Sequence, residues 1–244
     1  MKKIAAVISY SSYHNAFIDR TVKEAEKVCD YVLVVSYKDF FDNVKDDALI
    51  PQKNHLILEN SPSKPSRWHH NESRRLGYET VKLTGEYDFI FFIDSDEVLE
   101  GDRVKLWLDT VEQGESYKLA HFWYYRDTCY RADKVEEGAV LVAKETLESP
   151  TMNWQGNRER EDFTTSWNYM ASYQNKVLGH HYSWAGTEEM LIKKVKSWGH
   201  NEDNLPWQDI VRKEFQHDFN YTCPFKPYTF TKIEPYIGFT FHNG

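Results

Sequence analysis

The sequence predicts an α/β fold: a doubly wound, mainly parallel central sheet in the first half and an aromatic-rich, partly antiparallel second half. In the first half, continuous apolar runs alternate with amphipathic helical runs, which is typical of a parallel sheet covered by helices on both faces. From residue 117 onward, long aromatic segments of strand character follow one another, which favours antiparallel pairing. We therefore expect a half at 1–100 and a half at 101–244 within one compact domain.

The spacing of the apolar residues predicts the individual elements. Segments such as YVLVVSY and DFIFFI are apolar almost throughout and predict buried strands. Segments in which apolar residues recur every three or four positions predict helices, and the turn-rich stretch NSPSKPS predicts a loop before one of them. In chain order, the predicted strands cover 4–10, 31–37, 55–58, 88–93, 117–132 and 139–143, and the predicted helices cover 16–28, 67–83, 102–111 and 187–198.

Composition excludes several classes of protein. With 41% apolar and 28% charged residues, the chain is a folded protein rather than a disordered one. Its net charge of −8 disfavours general binding to nucleic-acid backbones. No apolar run approaches the ~18 residues that a membrane-spanning helix needs. Three scattered cysteines and the short apolar run at the N-terminus, too brief for a signal peptide, predict a cytoplasmic protein.

The candidate site follows from the predicted parallel sheet, because such sheets bind ligands beyond the carboxyl ends of their strands. That rule selects the segments 9–15, 36–39, 60–67 and 94–97. The last of these, Asp94-Ser95-Asp96-Glu97, directly follows the most apolar strand. Two aspartates one residue apart can share a divalent cation, and their oxygens suit Mg²⁺ or Mn²⁺. The alternative is a helix cap, but the position after a buried strand favours the metal.

The segment 85–97, GEYDFIFFIDSDE, resembles the DxD segment of GT-A glycosyltransferases, in particular family 2-like enzymes. The resemblance covers about residues 4–100. It implies a GT-A-like fold and a metal-dependent glycosyltransferase, with a nucleotide-sugar donor, most simply a UDP-sugar, and with the metal on Asp94 and Asp96. The stretch 73–77, SRRLG, lies where the family often carries an Ala-Arg-Asn-x-Gly-like segment, and departs from it at Leu76.

Residues around the predicted metal are candidates for binding the donor. Small hydroxyls at the start of the first helix suit a ribose or a base, although an ordinary capped turn would look the same. Basic side chains on the helix 67–83, with His69 and His70 among them, suit a diphosphate, although a solvated helix face is the alternative. The predicted donor-binding residues are Ser9, Tyr10, Ser11, Asp39, Arg67, Arg74, Arg75, Asp94 and Ser95.

The resemblance also implies a catalytic base. Glu161-Asp162 is similar to the Glu-Asp motif of inverting family 2 enzymes, in which the aspartate deprotonates the acceptor hydroxyl. It implies Asp162 as the base, with Glu161 beside it, and an ionised carboxylate can take that proton at neutral pH. Asp133 and Glu159 are rivals for the role.

A histidine from the segment HHYSW is the implied third metal ligand, because GT-A proteins often supply a late histidine there. We assign it to His181, with His180 as the rival. Neighbouring residues of an extended segment point in opposite directions, so at most one of them binds the ion. An imidazole added to carboxylates favours Mn²⁺ over Mg²⁺.

Competing hypotheses differ in function class. The first is a glycosyltransferase, whose acceptor is a saccharide or, less favoured because of the charge of −8, a hydroxylated base in phage-type DNA. The second is a non-catalytic carbohydrate- or nucleotide-binding module of the same fold. A nucleotidyltransferase ranks low, because segment 9–15 contains no glycine for a phosphate loop. For the enzyme we expect Asp96→Ala to abolish transfer in a folded protein.

Overall fold

A single mixed β-sheet organises the chain. The structure is a computed structural model and describes residues 2–11, 14–37, 54–58, 66–155, 163, 169–197 and 205–242. The strands are β1 (Ile4–Tyr10), β2 (Tyr31–Tyr37), β3 (His55–Leu58), β4 (Phe89–Asp94), β5 (Glu97–Leu99), β6 (Tyr117–Arg126), β7 (Tyr130–Ala143), β8 (Met170–Ala171), β9 (Gly179–Ala185) and β10 (Phe230–Lys232). The helices are α1 (Asn15–Glu26), α2 (Ser66–Lys82), α3 (Gly101–Leu108), α4 (Lys144–Leu147), α5 (Glu188–Ser197) and α6 (Trp207–Glu214).

The order of the strands confirms the predicted fold class. Across the sheet it is β3-β2-β1-β4-β7-β6-β9-β5. The first four strands are mutually parallel. Strand β7 is antiparallel to both β4 and β6, and β5 is antiparallel to β9. A parallel half is thus continued by a partly antiparallel half within one sheet.

Helices cover both faces of the parallel half, as a doubly wound fold requires. Alternate residues of a strand point to opposite faces, and Ile8 packs in one apolar cluster with Val104 of α3. Its neighbour Val7 packs in a second cluster with Val81 of α2. Helix α2 lies very close to β1, since a Cβ on Gly77 would be 2.4 Å from Val7 Cγ1. Because both faces of these strands are buried, their sequences are apolar at nearly every position.

The predicted strand over 117–132 is wrong in its boundaries. β6 ends at Arg126, which has a positive φ of 66°, and the chain reverses before β7 begins at Tyr130. The Asp127 carboxylate accepts the backbone N–H of Thr128 at 2.6 Å and holds this turn. Strand β7 then continues unbroken through 139–143, so the two predicted strands are one hairpin with a different turn.

Two further elements have weak sequence signals. Helix α6 has only eight residues and buries one of them, Val211, so few apolar residues mark it in the sequence. Strand β9 mixes histidines with aromatics, a composition that favours no single element. Among the described residues, no helix is both long and apolar enough to cross a membrane.

Aromatic residues fill the core of the second half. Trp123 and Trp184 are buried and pack with Tyr125, Phe225 and Phe230. Aromatic side chains such as tryptophan can stack on sugar rings, but burial leaves Trp123 and Trp184 no face for such a contact. Trp154 packs on Tyr78, Phe92 and Phe163, and Trp167 lies outside the described residues.

Candidate functional site

Polar residues converge at the point where the direction of the sheet reverses. From β1 the chain builds β2 and β3 on one side, and then returns to place β4 on the other side. The carboxyl ends of β1 and β4 are adjacent, with Ser9 opposite Asp94. Ligands of doubly wound sheets bind in the crevice at such a reversal. We call the following set the β1–β4 edge: Ser9, Ser11, His14, Arg74, Asp94, Ser95, Asp96, His181 and Lys194.

Asp96 is the most heavily engaged member of the β1–β4 edge. It is 2% exposed. Its Oδ2 lies 2.9 Å from His14 Nε2 and 3.1 Å from Lys194 Nζ, and its Oδ1 lies 3.9 Å from His181 Nε2. Burial alone would raise the pKa of the Asp96 carboxyl, but His14 and Lys194 outweigh it and hold that pKa well below its ordinary value. Asp96 is therefore ionised at neutral pH.

His14 directly precedes α1 and connects the segment after β1 to Ser95 and Asp96, which follow β4. Its Nδ1 lies 3.1 Å from Ser95 Oγ, while its Nε2 faces Asp96. Burial is the largest cause that lowers the pKa of His14, so the ring is neutral at pH 7. The tautomer with hydrogen on Nε2 satisfies these two contacts: Nε2 donates to the carboxylate, and Nδ1 accepts from the Ser95 hydroxyl. The same Nε2 also lies 3.2 Å from Lys194 Nζ, and in this tautomer it does not accept from the ammonium.

Lys194 brings a buried ammonium into the edge from α5. The residue is 6% exposed. Its Nζ donates to Asp96 Oδ2 at 3.1 Å, to Ser183 Oγ at 3.2 Å and to the Ser183 carbonyl oxygen. An ammonium has three hydrogens, and with the His14 tautomer above, these three acceptors use all of them. Sequence analysis missed this residue, although a lysine beside the inward-facing Leu191 and Val195 signals a buried partner.

Arg74 supplies a second cation, from the middle of α2. Its Nη2 donates to Asp94 Oδ1 at 3.1 Å and its Nη1 to Asn71 Oδ1 at 3.1 Å. The Asp94 side chain is 27% exposed and is thus far more accessible than that of Asp96. The backbone N–H of Asp94 donates to Glu97 Oε2 at 2.8 Å, which closes the acidic turn. Asp94 is thus the partly exposed carboxylate of the edge, and the Arg74 guanidinium behind it is buried, with 8% of its side chain exposed.

The predicted hydroxyl residues lie at the edge and are buried. Ser9 Oγ lies 3.0 Å from Ser73 Oγ of α2, and the carbonyl of Ser11 accepts the backbone N–H of His14 at 2.8 Å. Tyr10 instead directs its hydroxyl to Asn15 Oδ1 at 3.2 Å. Ser9 and Ser11 therefore shape the edge, and their predicted contacts with a nucleotide stay predictions.

The arginines of the predicted basic patch, Arg67, Arg74 and Arg75, do not converge on one acidic group. Arg75 donates to both carboxylate oxygens of Glu72, at 3.0 and 2.6 Å, and Arg67 is exposed at the start of α2. Of the three arginines, Arg74 is the one that bonds to the acidic turn. Asp39, Glu161 and Asp162 lie outside the described residues.

The two adjacent histidines point to opposite sides of β9. His181 faces Asp96, and its buried Nδ1 has no hydrogen-bond partner among the described residues. His180 lies between the Tyr124 hydroxyl at 2.7 Å and Glu100 Oε1 at 3.0 Å, and stacks on Tyr236 with ring centroids 4.1 Å apart. Between the two, geometry favours His181 as the residue of the site.

The fit of a divalent ion can be judged from these contacts. An ammonium already binds Asp96, and a guanidinium binds Asp94. Within the described part of the chain, no group of three His, Cys, Asp or Glu residues is arranged to hold a metal. As they stand, Asp94, Asp96 and His181 do not fit a divalent ion, and the metal remains a prediction from the sequence.

The chain was compared with family models, curated proteins and solved structures. No protein-family model matches the chain, and no curated protein matches it in sequence. A glycosyltransferase involved in the glycosylation of the major capsid of PBCV-1 aligns in structure with a TM-score of 0.30 and 12% identity, covering 60% of this chain. This chain spans 62% of that glycosyltransferase.

A second solved structure is the inositol-1-phosphate CTP transferase from T. maritima. It aligns with a TM-score of 0.34 and 8% identity, over 63% of this chain and 76% of that one. Likenesses at this level do not assign a function. A proposal about function therefore depends on the chemistry of the β1–β4 edge.

Proposed function

We propose that this chain is a glycosyltransferase that moves a sugar from a nucleotide diphosphate sugar, in the first place a UDP-sugar, to an acceptor hydroxyl. One observation carries the proposal. Residues 9–11 and 14–15 meet the segment 94–97 at the reversal point of the sheet, beside the Arg74 guanidinium and the start of α1. Positive groups and a helix N-terminus favour an anionic ligand such as a diphosphate.

The proposed reaction forms one bond and breaks one. The acceptor oxygen bonds to the anomeric carbon, the bond from that carbon to the diphosphate breaks, and the nucleoside diphosphate leaves with the electron pair. The acceptor proton goes to a carboxylate, which we propose to be Asp162 with Glu161 beside it, and direct displacement then inverts the anomeric carbon. Arg74 stabilises the charge that develops on the leaving group. The proposed acceptor is a glycan, with a hydroxylated DNA base as the less favoured choice.

Arg74 gives the sharpest test. Arg74→Gln keeps a hydrogen-bond donor for Asp94 and removes the positive charge. We expect nucleotide release from UDP-sugars to fall by about 100-fold, as when a group that stabilises a transition state is lost. The measurement is UDP release from UDP-glucose, UDP-galactose and UDP-N-acetylglucosamine, each with oligosaccharide acceptors, in Mn²⁺ and in EDTA.

A matched arginine provides the control. Arg212 also bonds to an aspartate, Asp209, at 3.1 Å, but on the exposed surface of α6. Arg212→Gln should release UDP as the wild type does. If Arg74→Gln is folded and equally active, Arg74 has no part in the reaction.

The non-catalytic module remains the second candidate, and one observation favours it. At the edge, the Asp96 carboxylate is already paired with the Lys194 ammonium, and a binding module, unlike the metal-dependent enzyme, needs no metal on that carboxylate. That hypothesis predicts saturable UDP-sugar binding with no UDP release under any of these conditions.

A further inference from the structure

We propose that the Lys194 ammonium is the resident counter-ion of Asp96, in the position that the sequence pattern assigns to a divalent metal. The two aspartates are then neutralised by the protein's own cations, Arg74 and Lys194. It follows that an anionic donor binds without a metal held by Asp94 and Asp96. This last step rests on the proposed function, whereas the assignment of Lys194 does not.

The first argument is the completeness of the contacts at Lys194. Asp96 Oδ2, Ser183 Oγ and the Ser183 carbonyl accept all three of its hydrogens. A group with every donor paired and 6% exposure is held in place. A surface lysine that drifted near Asp96 would show neither feature.

The second argument is the balance of charge. Asp94 pairs with Arg74 at 3.1 Å, and Asp96 pairs with Lys194 at 3.1 Å. Each aspartate of the acidic turn thus has its own cation. A divalent ion entering the same space would face two positive charges at close range, in a region where water screens them poorly.

The third argument is the place of Lys194 in the fold. Its helix, α5, follows β9, and β9 pairs with β5 through Glu97 and His181. The ammonium therefore ties the acidic turn to Ser183 of β9. A bound metal commonly makes the same kind of link, between a turn after one strand and a side chain from a distant one.

Metal binding by the wild type is the direct test. Purified protein with residues 1–244 is titrated with Mn²⁺, and free Mn²⁺ is followed by electron paramagnetic resonance. We expect no stoichiometric site in the wild type, even in a large excess of Mn²⁺. A stoichiometric site that disappears in Asp96→Asn would overturn the proposal.

Removal of the ammonium is the second test. In Lys194→Met the Asp96 carboxylate loses its counter-ion, so we expect the Tm to fall by about 5–10 °C. Mn²⁺ should then bind at least ten times more tightly than to the wild type and should recover part of the lost Tm. Lys196→Met, which changes an exposed lysine of the same helix, should leave both quantities unchanged.

A Lys194→Met protein that is as stable as the wild type and binds Mn²⁺ no better would contradict the assignment. If this variant does not fold, the wild-type titration still decides the question. Both measurements are independent of enzyme activity, so a failure of the proposed glycosyl transfer would not disturb them.

Donor binding completes the test. Calorimetric titration of the wild type with UDP should give the same affinity in EDTA and in Mn²⁺, within about threefold. Binding that requires Mn²⁺ and is lost in Asp96→Asn would refute metal-free binding. If UDP does not bind under either condition, the proposed function fails, and the Mn²⁺ titration still reports on Lys194.

Discussion

Two buried aspartates, Asp96 and Asp127, show two different uses of a carboxylate in this fold. They are 2% and 1% exposed. Asp96 contacts side chains that can carry positive charge: His14, His181 and Lys194. Asp127 instead accepts backbone N–H groups of Thr128, Phe241 and His242, and the Thr128 hydroxyl. Side-chain partners can exchange for a ligand, whereas backbone partners fix the path of the chain.

The positions of the two aspartates agree with this difference. Asp96 follows β4 at the reversal point of the sheet, where ligands of doubly wound folds bind. Asp127 lies in the β6–β7 turn, where its carboxylate holds the last described residues of the chain. Burial alone therefore does not identify a functional carboxylate, but the kind of partner separates a site from a structural anchor.

Asp96→Ala should have the largest effect on stability. It leaves the buried Lys194 ammonium without its counter-charge, and breaking a buried pair from one side costs about 3–5 kcal/mol. Urea unfolding measures the loss, with Asp102→Ala, an exposed aspartate, as the control. Because of this expected loss of stability, Asp96→Asn is the better variant than Asp96→Ala for tests of catalysis and metal binding. A change below about 0.5 kcal/mol would mean that Lys194 and Asp96 do not depend on each other.

Asp127→Ala should have a smaller effect, in a different place. It leaves the N–H groups of Phe241 and His242 without an acceptor, and we expect a loss of about 2 kcal/mol. The C-terminal segment should become susceptible to limited proteolysis while UDP affinity is retained. A fall in UDP affinity without faster cleavage would make Asp127 part of the site and remove the contrast with Asp96.

The adjacent histidines His180 and His181 should show the same contrast between a structural residue and a residue of the site, with smaller changes in the free energy of unfolding. His180 is buried between Tyr124 and Glu100, so we expect His180→Ala to cost about 2–3 kcal/mol through the loss of packing and hydrogen bonds. His181 faces the edge, and one of its ring nitrogens has no partner in the part of the chain that the structure describes. His181→Ala should therefore cost less than about 1 kcal/mol and should act on ligand binding instead. The urea midpoints and UDP affinities of the two variants decide, and the reverse order would refute the assignment of His181 to the site.

Much of the parallel half was predictable because its rules are local. The apolar runs at 4–10, 31–37 and 55–58 are β1, β2 and β3 with the predicted boundaries. For β1 and β2 the reason is that a strand buried on both faces must be apolar throughout, whereas β3 is the partly exposed edge strand. The position of Asp94 and Asp96 at the carboxyl edge follows from the apolar strand that precedes them. The boundary at Arg126 was not predictable from periodicity, because it depends on a positive φ and on one side-chain bond to the turn.

The partners at the candidate site were harder to predict, because they come from distant parts of the chain. Lys194 lies 98 positions from Asp96, and no local pattern joins them. The DxD-like spacing indicates a cation but not its identity, and a lysine on the inner face of a helix meets the same electrostatic need as a metal. Arg74 and Arg75 are adjacent arginines that the sequence alone does not distinguish. In the structure they point in different directions from α2, so that Arg74 pairs with Asp94 and Arg75 pairs with Glu72.

A crystal soaked with UDP and Mn²⁺, with data collected above the manganese absorption edge, tests these assignments together. We predict that the diphosphate lies at the carboxyl ends of β1 and β4 beside Arg74, with the Lys194 ammonium still on Asp96 and no anomalous peak within coordination distance of that carboxylate. Nucleotide bound elsewhere, or a manganese peak bridging Asp94 and Asp96 with Lys194 displaced, would contradict this description of the site.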